Sequence, residues 1–260
     1  MIDWISAPFP PLTLTVLAAF AGLLGGFVRG YSGFGFALAA MPILTLVLPP
    51  AAAVPAILPI ELAIGMVTIP EFRGDVARPT LGYLVLGTLV GTPLGLTVLA
   101  FAPAEAMRFA IGVAVFIAVL VLWRRPVPAA RVTGIGPFAG AGLISGLLNG
   151  GTALSGPPVI VALLASGLPV QATRATIMAF IAISAALGIA LAFAGGLYTA
   201  NILLTALIIA PCAAAGAFAG NAVFARTAHG HYRSASLAIL LAVACVAIGG
   251  ACWSLRHFPF

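Results

Sequence analysis

The sequence predicts an all-α polytopic membrane protein, and three observations predict it. Hydrophobic residues make up 63% of the 260 residues. Mean hydropathy is +1.23, whereas a typical globular domain is only about 45–50% apolar. Charged residues amount to 6%, five acidic and eleven basic, too few to build a water-facing surface. The apolar residues also fall into runs near the ~20 residues that one bilayer span needs, with room for about eight to ten such spans. The net charge of +6 does not indicate a nucleic-acid partner, because all eleven basic residues are Arg and they form no tract.

Three polar joints divide the apolar runs: Glu71 to Pro79, Trp123 to Arg131, and Arg226 to Arg233. Helices are expected between and beside them at 11–29, 35–48, 51–70, 80–101, 106–122, 135–148, 152–166, 171–196, 199–224 and 234–253. Trp4, Trp123 and Trp253 fall at segment ends, where interfacial anchors sit. The N-terminal Met-Ile-Asp-Trp lacks the basic opening of a cleaved signal peptide.

These ten segments read as two sets of five. Gly26, Gly30, Gly35 and Pro42 are spaced by 4, 5 and 7, and Gly142, Gly146, Gly151 and Pro158 repeat those spacings 116 residues later. Gly91, Gly95 and Arg108 recur as Gly216, Gly220 and Arg233, 125 residues later. The expected organisation is an internal duplication, residues 1–125 and 126–260, forming one integral membrane domain. Five segments is an odd number, so the second copy enters the membrane inverted, an arrangement typical of secondary transporters. Placing the joint at 71–79 in the cytoplasm puts Arg73, Arg78, Arg124, Arg125, Arg131, Arg226 and Arg233 on that side, in keeping with the positive-inside rule. Both termini then lie outside, and the expected location is the inner (plasma) membrane.

The segments that open each copy are short. Those at 35–48, 135–148 and 152–166 rise about 22 Å at 1.5 Å per residue, less than the ~30 Å hydrocarbon core. Gly-rich turns join them, Arg29 to Gly35 and Ser145 to Thr152. Each reads as a broken helix or a re-entrant hairpin, and paired interruptions of this kind point to a transporter's binding site.

At these residues the chain resembles the TauE/SafE family of membrane permeases, described as sulfite and organosulfonate exporters. The family pattern is a Gly-rich turn followed by a Pro near the start of each half. Here it runs from Gly26 through Gly35 to Pro42, and from Gly142 through Gly151 to Pro157 and Pro158. The first copy departs from the usual run of consecutive glycines, carrying Tyr31, Ser32 and Phe34. The resemblance covers residues 12–253 and implies export of a small sulfur oxyanion.

The turns also supply the candidate binding residues. Helices that start near mid-membrane present free N–H groups and a positive dipole end. Gly33, Gly35, Gly150 and Gly151 would let an anion approach the backbone, and Ser32, Asn149, Thr152 and Ser155 would add hydrogen bonds. The ladders Gly22, Gly26, Gly30 and Gly87, Gly91, Gly95 read instead as close helix packing. Arg29 is the most pointed side chain, since a guanidinium matches a sulfonate or carboxylate with two hydrogen bonds. Its competing reading is an interfacial Arg reaching back to the headgroups, and Arg174 fits that reading better than its second role as a further anion contact. Glu61 is a carboxylate within an apolar run, between proton coupling and a structural ion pair with Arg29 or Arg174.

No nucleotide-binding or hydrolase motif occurs, and an enzyme is not expected. Cys212, Cys245 and Cys252 lie in apolar runs and read as small core residues, while the three His lack neighbours at metal-ligand spacing. Neither a cofactor nor a metal site is therefore expected. The expectation is a secondary transporter for a small anion, sulfite or an organosulfonate such as sulfoacetate, working by alternating access. A permease for a carboxylate or a metal ion, and a membrane enzyme or assembly subunit, remain as alternatives, with import or export and the oligomeric state open.

Overall fold

The computed structural model describes residues 12–32, 35–68, 74–124 and 132–226. Among these the chain is helical, with nine helices: α1 Leu12–Ser32, α2 Phe36–Val47, α3 Pro50–Thr68, α4 Arg78–Phe101, α5 Ala104–Arg124, α6 Ile135–Thr152, α7 Gly156–Leu164, α8 Val170–Ala194 and α9 Ala200–Arg226. The segment expected at 234–253 lies outside the described residues, as do Cys245 and Cys252.

Six helices, α1, α3, α4, α5, α8 and α9, are long and apolar enough to cross a bilayer. Their outer faces carry the apolar bulk that would otherwise be hidden: Leu86, Val90, Leu94 and Phe101 on α4, Leu203, Leu207 and Phe218 on α9 are exposed. An apolar exterior of this kind is lipid-facing. The protein is a multi-pass membrane protein.

Two long crossings frame the bundle, α1 along α9 and α4 along α6. Glycines make both possible, because a Cβ at their positions has no room. A Cβ on Gly26 would fall 2.0 Å from the Ala213 carbonyl oxygen and one on Gly30 2.2 Å from that of Ala217. From the other side, Gly216 and Gly220 meet the Leu23 and Phe27 carbonyls at 2.1 and 2.3 Å. On the second crossing Gly91 and Gly95 meet the Leu143 and Leu147 carbonyls, both at 2.2 Å. Backbone lies directly on backbone, as in small-residue interfaces between membrane helices.

The two crossings correspond residue by residue. Gly91 and Gly95 match Gly216 and Gly220 at an offset of 125, and their partners Leu23 and Phe27 match Leu143 and Leu147 at 120. The starts of α2 and α7, Phe36 and Gly156, also differ by 120. The offset of 116 read from the sequence is therefore one helical turn out of register with the packing. In a ladder with glycine every fourth residue, a shift of one turn leaves most matches intact.

Prolines inside the helices leave carbonyls without a helical donor. Pro59 of α3 frees the Pro55 carbonyl, and the Tyr198 hydroxyl donates to it at 3.1 Å from the turn before α9. Burial pushes the Tyr198 phenol up to about 12, so it stays a donor throughout the physiological range. Such a bond ties the α8–α9 turn to α3. Around α2, whose residues from Phe36 to Thr45 are all buried, the core collects Leu44, Ile57, Leu58, Ile111 and Leu154. The short α2 thus packs among α1, α3 and α5, and α7 among α5, α6 and α8.

Candidate functional site

The α2 helix has twelve residues, about 18 Å, and α7 has nine, about 14 Å. Neither spans the hydrocarbon core alone. Their N-terminal ends line one small cavity, with Gly35, Ala37 and Leu38 from α2 and Ser155, Gly156 and Pro157 from α7. Glu61 of α3, Ala153 and Leu154 of the α6–α7 turn, Ile160 and Ile181 complete the wall. The space measures about 20 Å³, enough for about one water molecule. An oxyanion with the four heavy atoms of sulfite does not fit until the walls part.

Local sequence explains each lip. Gly35 precedes α2 with φ 91°, a left-handed conformation that glycine adopts without penalty. The first bond of the α2 ladder runs from the Ala39 N–H to the Gly35 carbonyl, so the N–H groups of Phe36, Ala37 and Leu38 lie ahead of it. The α7 lip is built differently. Its first turn is Gly156, Pro157, Pro158, and proline suits that position because no N–H is needed there. Only Gly156 then offers an N–H ahead of the ladder, so α7 contributes mainly its dipole and α2 contributes donors. Between α6 and α7, Ala153 holds φ 58°, and the Leu154 N–H closes the helix end on the Leu148 carbonyl at 3.4 Å. A left-handed alanine costs of order 1–3 kcal/mol and persists only where its surroundings dictate it.

The charged groups gather beside α2. Glu61 is 7% exposed and its carboxylate accepts the Ala37 backbone N–H. Arg29, in the last turn of α1, is 5% exposed and interacts electrostatically with Glu61. Its Nη2 is buried without a hydrogen-bond partner. Arg174, near the start of α8, is exposed and within electrostatic reach of Arg29.

Of the sequence candidates, Gly35, Ser155 and Glu61 come together at the cavity wall, with Arg29 outside the wall but within electrostatic reach of Glu61. Gly33 and the side chain of Ser32 lie outside the described residues. Asn149, Gly150, Gly151 and Thr152 do not form a turn, which corrects the reading of 145–152 as one. They are the last helical residues of α6, which runs on to Thr152, and the reversal is made by residues 153–155. Gly150 packs against α4, where a Cβ would fall 2.3 Å from the Thr92 carbonyl oxygen. Gly151 meets Gly95 only at ordinary contact, 3.6 Å. Asn149 donates to the Ser184 carbonyl at 2.9 Å and ties α6 to α8, while its Oδ1 is buried without a partner. The Thr152 hydroxyl donates back to the Leu148 carbonyl of its own helix at 2.6 Å. None of these four lies in the wall of the cavity.

Sequence reasoning missed Ala153, Leu154 and the first residues of each short helix. One signal was present: Pro157-Pro158 fits the first turn of a helix, which would have moved the turn to 153–155. Ser145 does not open a turn but lies within α6. Its hydroxyl instead donates to the Ser155 carbonyl and braces the α7 lip against α6.

A family model described as sulfite exporter TauE/SafE matches residues 18–247. No curated protein and no solved structure matches the chain.

Proposed function

The chain belongs to the TauE/SafE sulfite exporter family, and on that premise we propose that it carries sulfite or an organosulfonate such as sulfoacetate across the plasma membrane. Binding takes place where α2 and α7 begin. The observation that carries this reading is the convergence of two short helix N-termini on one cavity, whose Glu61 wall residue interacts electrostatically with buried Arg29. Dipole ends and free N–H groups favour a compact anion, and discontinuous helices meeting inside a bundle are how secondary transporters place them.

In this reading Phe36, Leu38 and Gly156 supply backbone donors, Gly35 allows close approach, and Ser155 and Arg29 add side-chain contacts. Exposed Arg174 stands toward the approach to Arg29. The two halves, 1–125 and 126–260, form an inverted pair around this point, a reading supported by the matched α1–α9 and α4–α6 crossings. Because the cavity is too small for the substrate, the cycle passes through states in which the halves rock apart on alternate sides.

Counterflow in proteoliposomes tests the assignment, with sulfite, sulfoacetate, taurine, sulfate and acetate offered in turn. Radiolabelled sulfite should enter vesicles preloaded with sulfite or sulfoacetate, and acetate should exchange least because it presents only two oxygens. Failure of every sulfur oxyanion to exchange would overturn the proposal.

A further inference from the structure

We propose that the Glu61 carboxylate is a built-in anion that occupies the α2 N-terminus when the transporter is empty. A proton must neutralise it before an external anion can take its place, so anion and proton cross together. This rests on the reading of the cavity as the transport site.

The geometry already shows one carboxylate where a substrate oxyanion would sit. Glu61 lines the cavity and accepts the Ala37 N–H, one of three donors ahead of the α2 ladder. It also faces Arg29, whose buried Nη2 lacks a partner. A bound anion therefore competes with Glu61 for the same helix end, the same cation and the same volume. With about 20 Å³ of space in the cavity, both cannot occupy it.

Charge balance gives the sequence of events. The empty site holds Arg29 and ionised Glu61, which sum to zero. Adding a monoanion beside ionised Glu61 would leave an uncompensated negative charge in a low-dielectric interior, which is costly. Protonating Glu61 removes that charge, releases Ala37 and Arg29, and lets the incoming anion restore neutrality. Each transported monoanion is then accompanied by one proton, taken from water on entry and returned on exit. The charged groups that face Glu61 are Arg29 from α1 and, in electrostatic contact with Arg29, Arg174 from α8. No titratable side chain comes from α2, α6 or α7. On α5, Glu105 and Arg108 pair with each other, and Arg108 bonds the Thr45 carbonyl at the far end of α2. Tyr198 meets α3 at Pro55.

The test uses the full chain in proteoliposomes, with radiolabelled sulfite as probe, an internal pH dye, and protein-free vesicles to correct for leak. Wild type should accumulate sulfite when the outside is acidified, with matching internal acidification. Glu61→Gln keeps an acceptor for the Ala37 N–H but binds no proton. It should lose gradient-driven accumulation, and whatever sulfite exchange it retains should no longer respond to the pH gradient. Half-saturation should vary with pH more steeply in wild type than in Glu61→Gln, by about tenfold per pH unit, as expected for one linked proton. Glu61→Asp keeps the titratable group and should keep the coupling. Gradient-driven accumulation by Glu61→Gln, or wild type that exchanges sulfite without responding to the gradient, would overturn the proposal. The second result needs no variant to fold. Wild type that exchanges no sulfur oxyanion would overturn the transport reading first, and this proposal with it.

Discussion

Arg29 is the side chain whose chemistry separates anchoring from binding. It is 5% exposed on the last turn of α1, and its Nη2 has no partner. A headgroup anchor needs only positive charge, whereas an anion site needs the planar fork of the guanidinium. Arg29→Lys should therefore raise the half-saturation for sulfite about tenfold to a hundredfold, the loss of one charged hydrogen bond of about 1.5–3 kcal/mol. Normal insertion with unchanged sulfite affinity would show Arg29 to be an anchor. Ala153 is the other residue under tension. Its φ of 58° is a conformation glycine adopts without penalty. Ala153→Gly should raise thermal stability by about 1 kcal/mol while leaving sulfite exchange intact. A loss of stability would mean that the Cβ packs well enough to offset its own strain.

At the scale of the elements, much of the bundle was legible because span length and Gly spacing are physical constraints. Observed α3, α4, α5, α8 and α9 lie within two residues of the expected segments at each end. The ends of α1 and α6 were not legible. Gly146 and Gly150 read as part of a turn, yet in the structure they are helical positions where a neighbouring backbone comes close. Glycine serves both purposes, and only the partner helix decides between them. That is why a reversal expected within 145–152 falls instead at 153–155, after the end of α6. The same distinction makes a prediction. Gly26→Ala and Gly91→Ala put a methyl group 2.0 and 2.2 Å from a carbonyl oxygen. Each should lower stability by about 1–3 kcal/mol through overpacking. At Gly140, where a Cβ meets nothing within 4 Å, Ala should be neutral or gain up to about 1 kcal/mol of helix propensity. Thermal unfolding of the purified variants in detergent reads this difference. Equal effects at Gly26, Gly91 and Gly140 would show that the crossings are looser than the backbone contacts imply.

The whole molecule adds a constraint that no single helix carries. If α1 matches α6 at an offset of 120 and α4 matches α9 at 125, each connection has a counterpart in the other half. The Arg-containing joint after α3, residues 69–77, corresponds to the turn after α8, residues 195–199, which has no Arg. The turn after α4, residues 102–103, likewise has no Arg, whereas the connection after α9 carries Arg233 and follows Arg226. Arg-bearing connections are thus matched to Arg-free ones. Cytoplasmic loops carry the excess of Lys and Arg, so matched connections belong on opposite faces, which is the definition of an inverted pair. We therefore expect the joints at 71–79, 123–133 and 225–233 to be cytoplasmic, with 102–105, 197–200 and both termini outside. Single cysteines introduced into a Cys-free chain and labelled with an impermeant maleimide read the side directly. Labelling of 71–79 and 225–233 from opposite faces would remove the inversion. With it would go the pairing of the two halves around the cavity, and transport would need a different moving part.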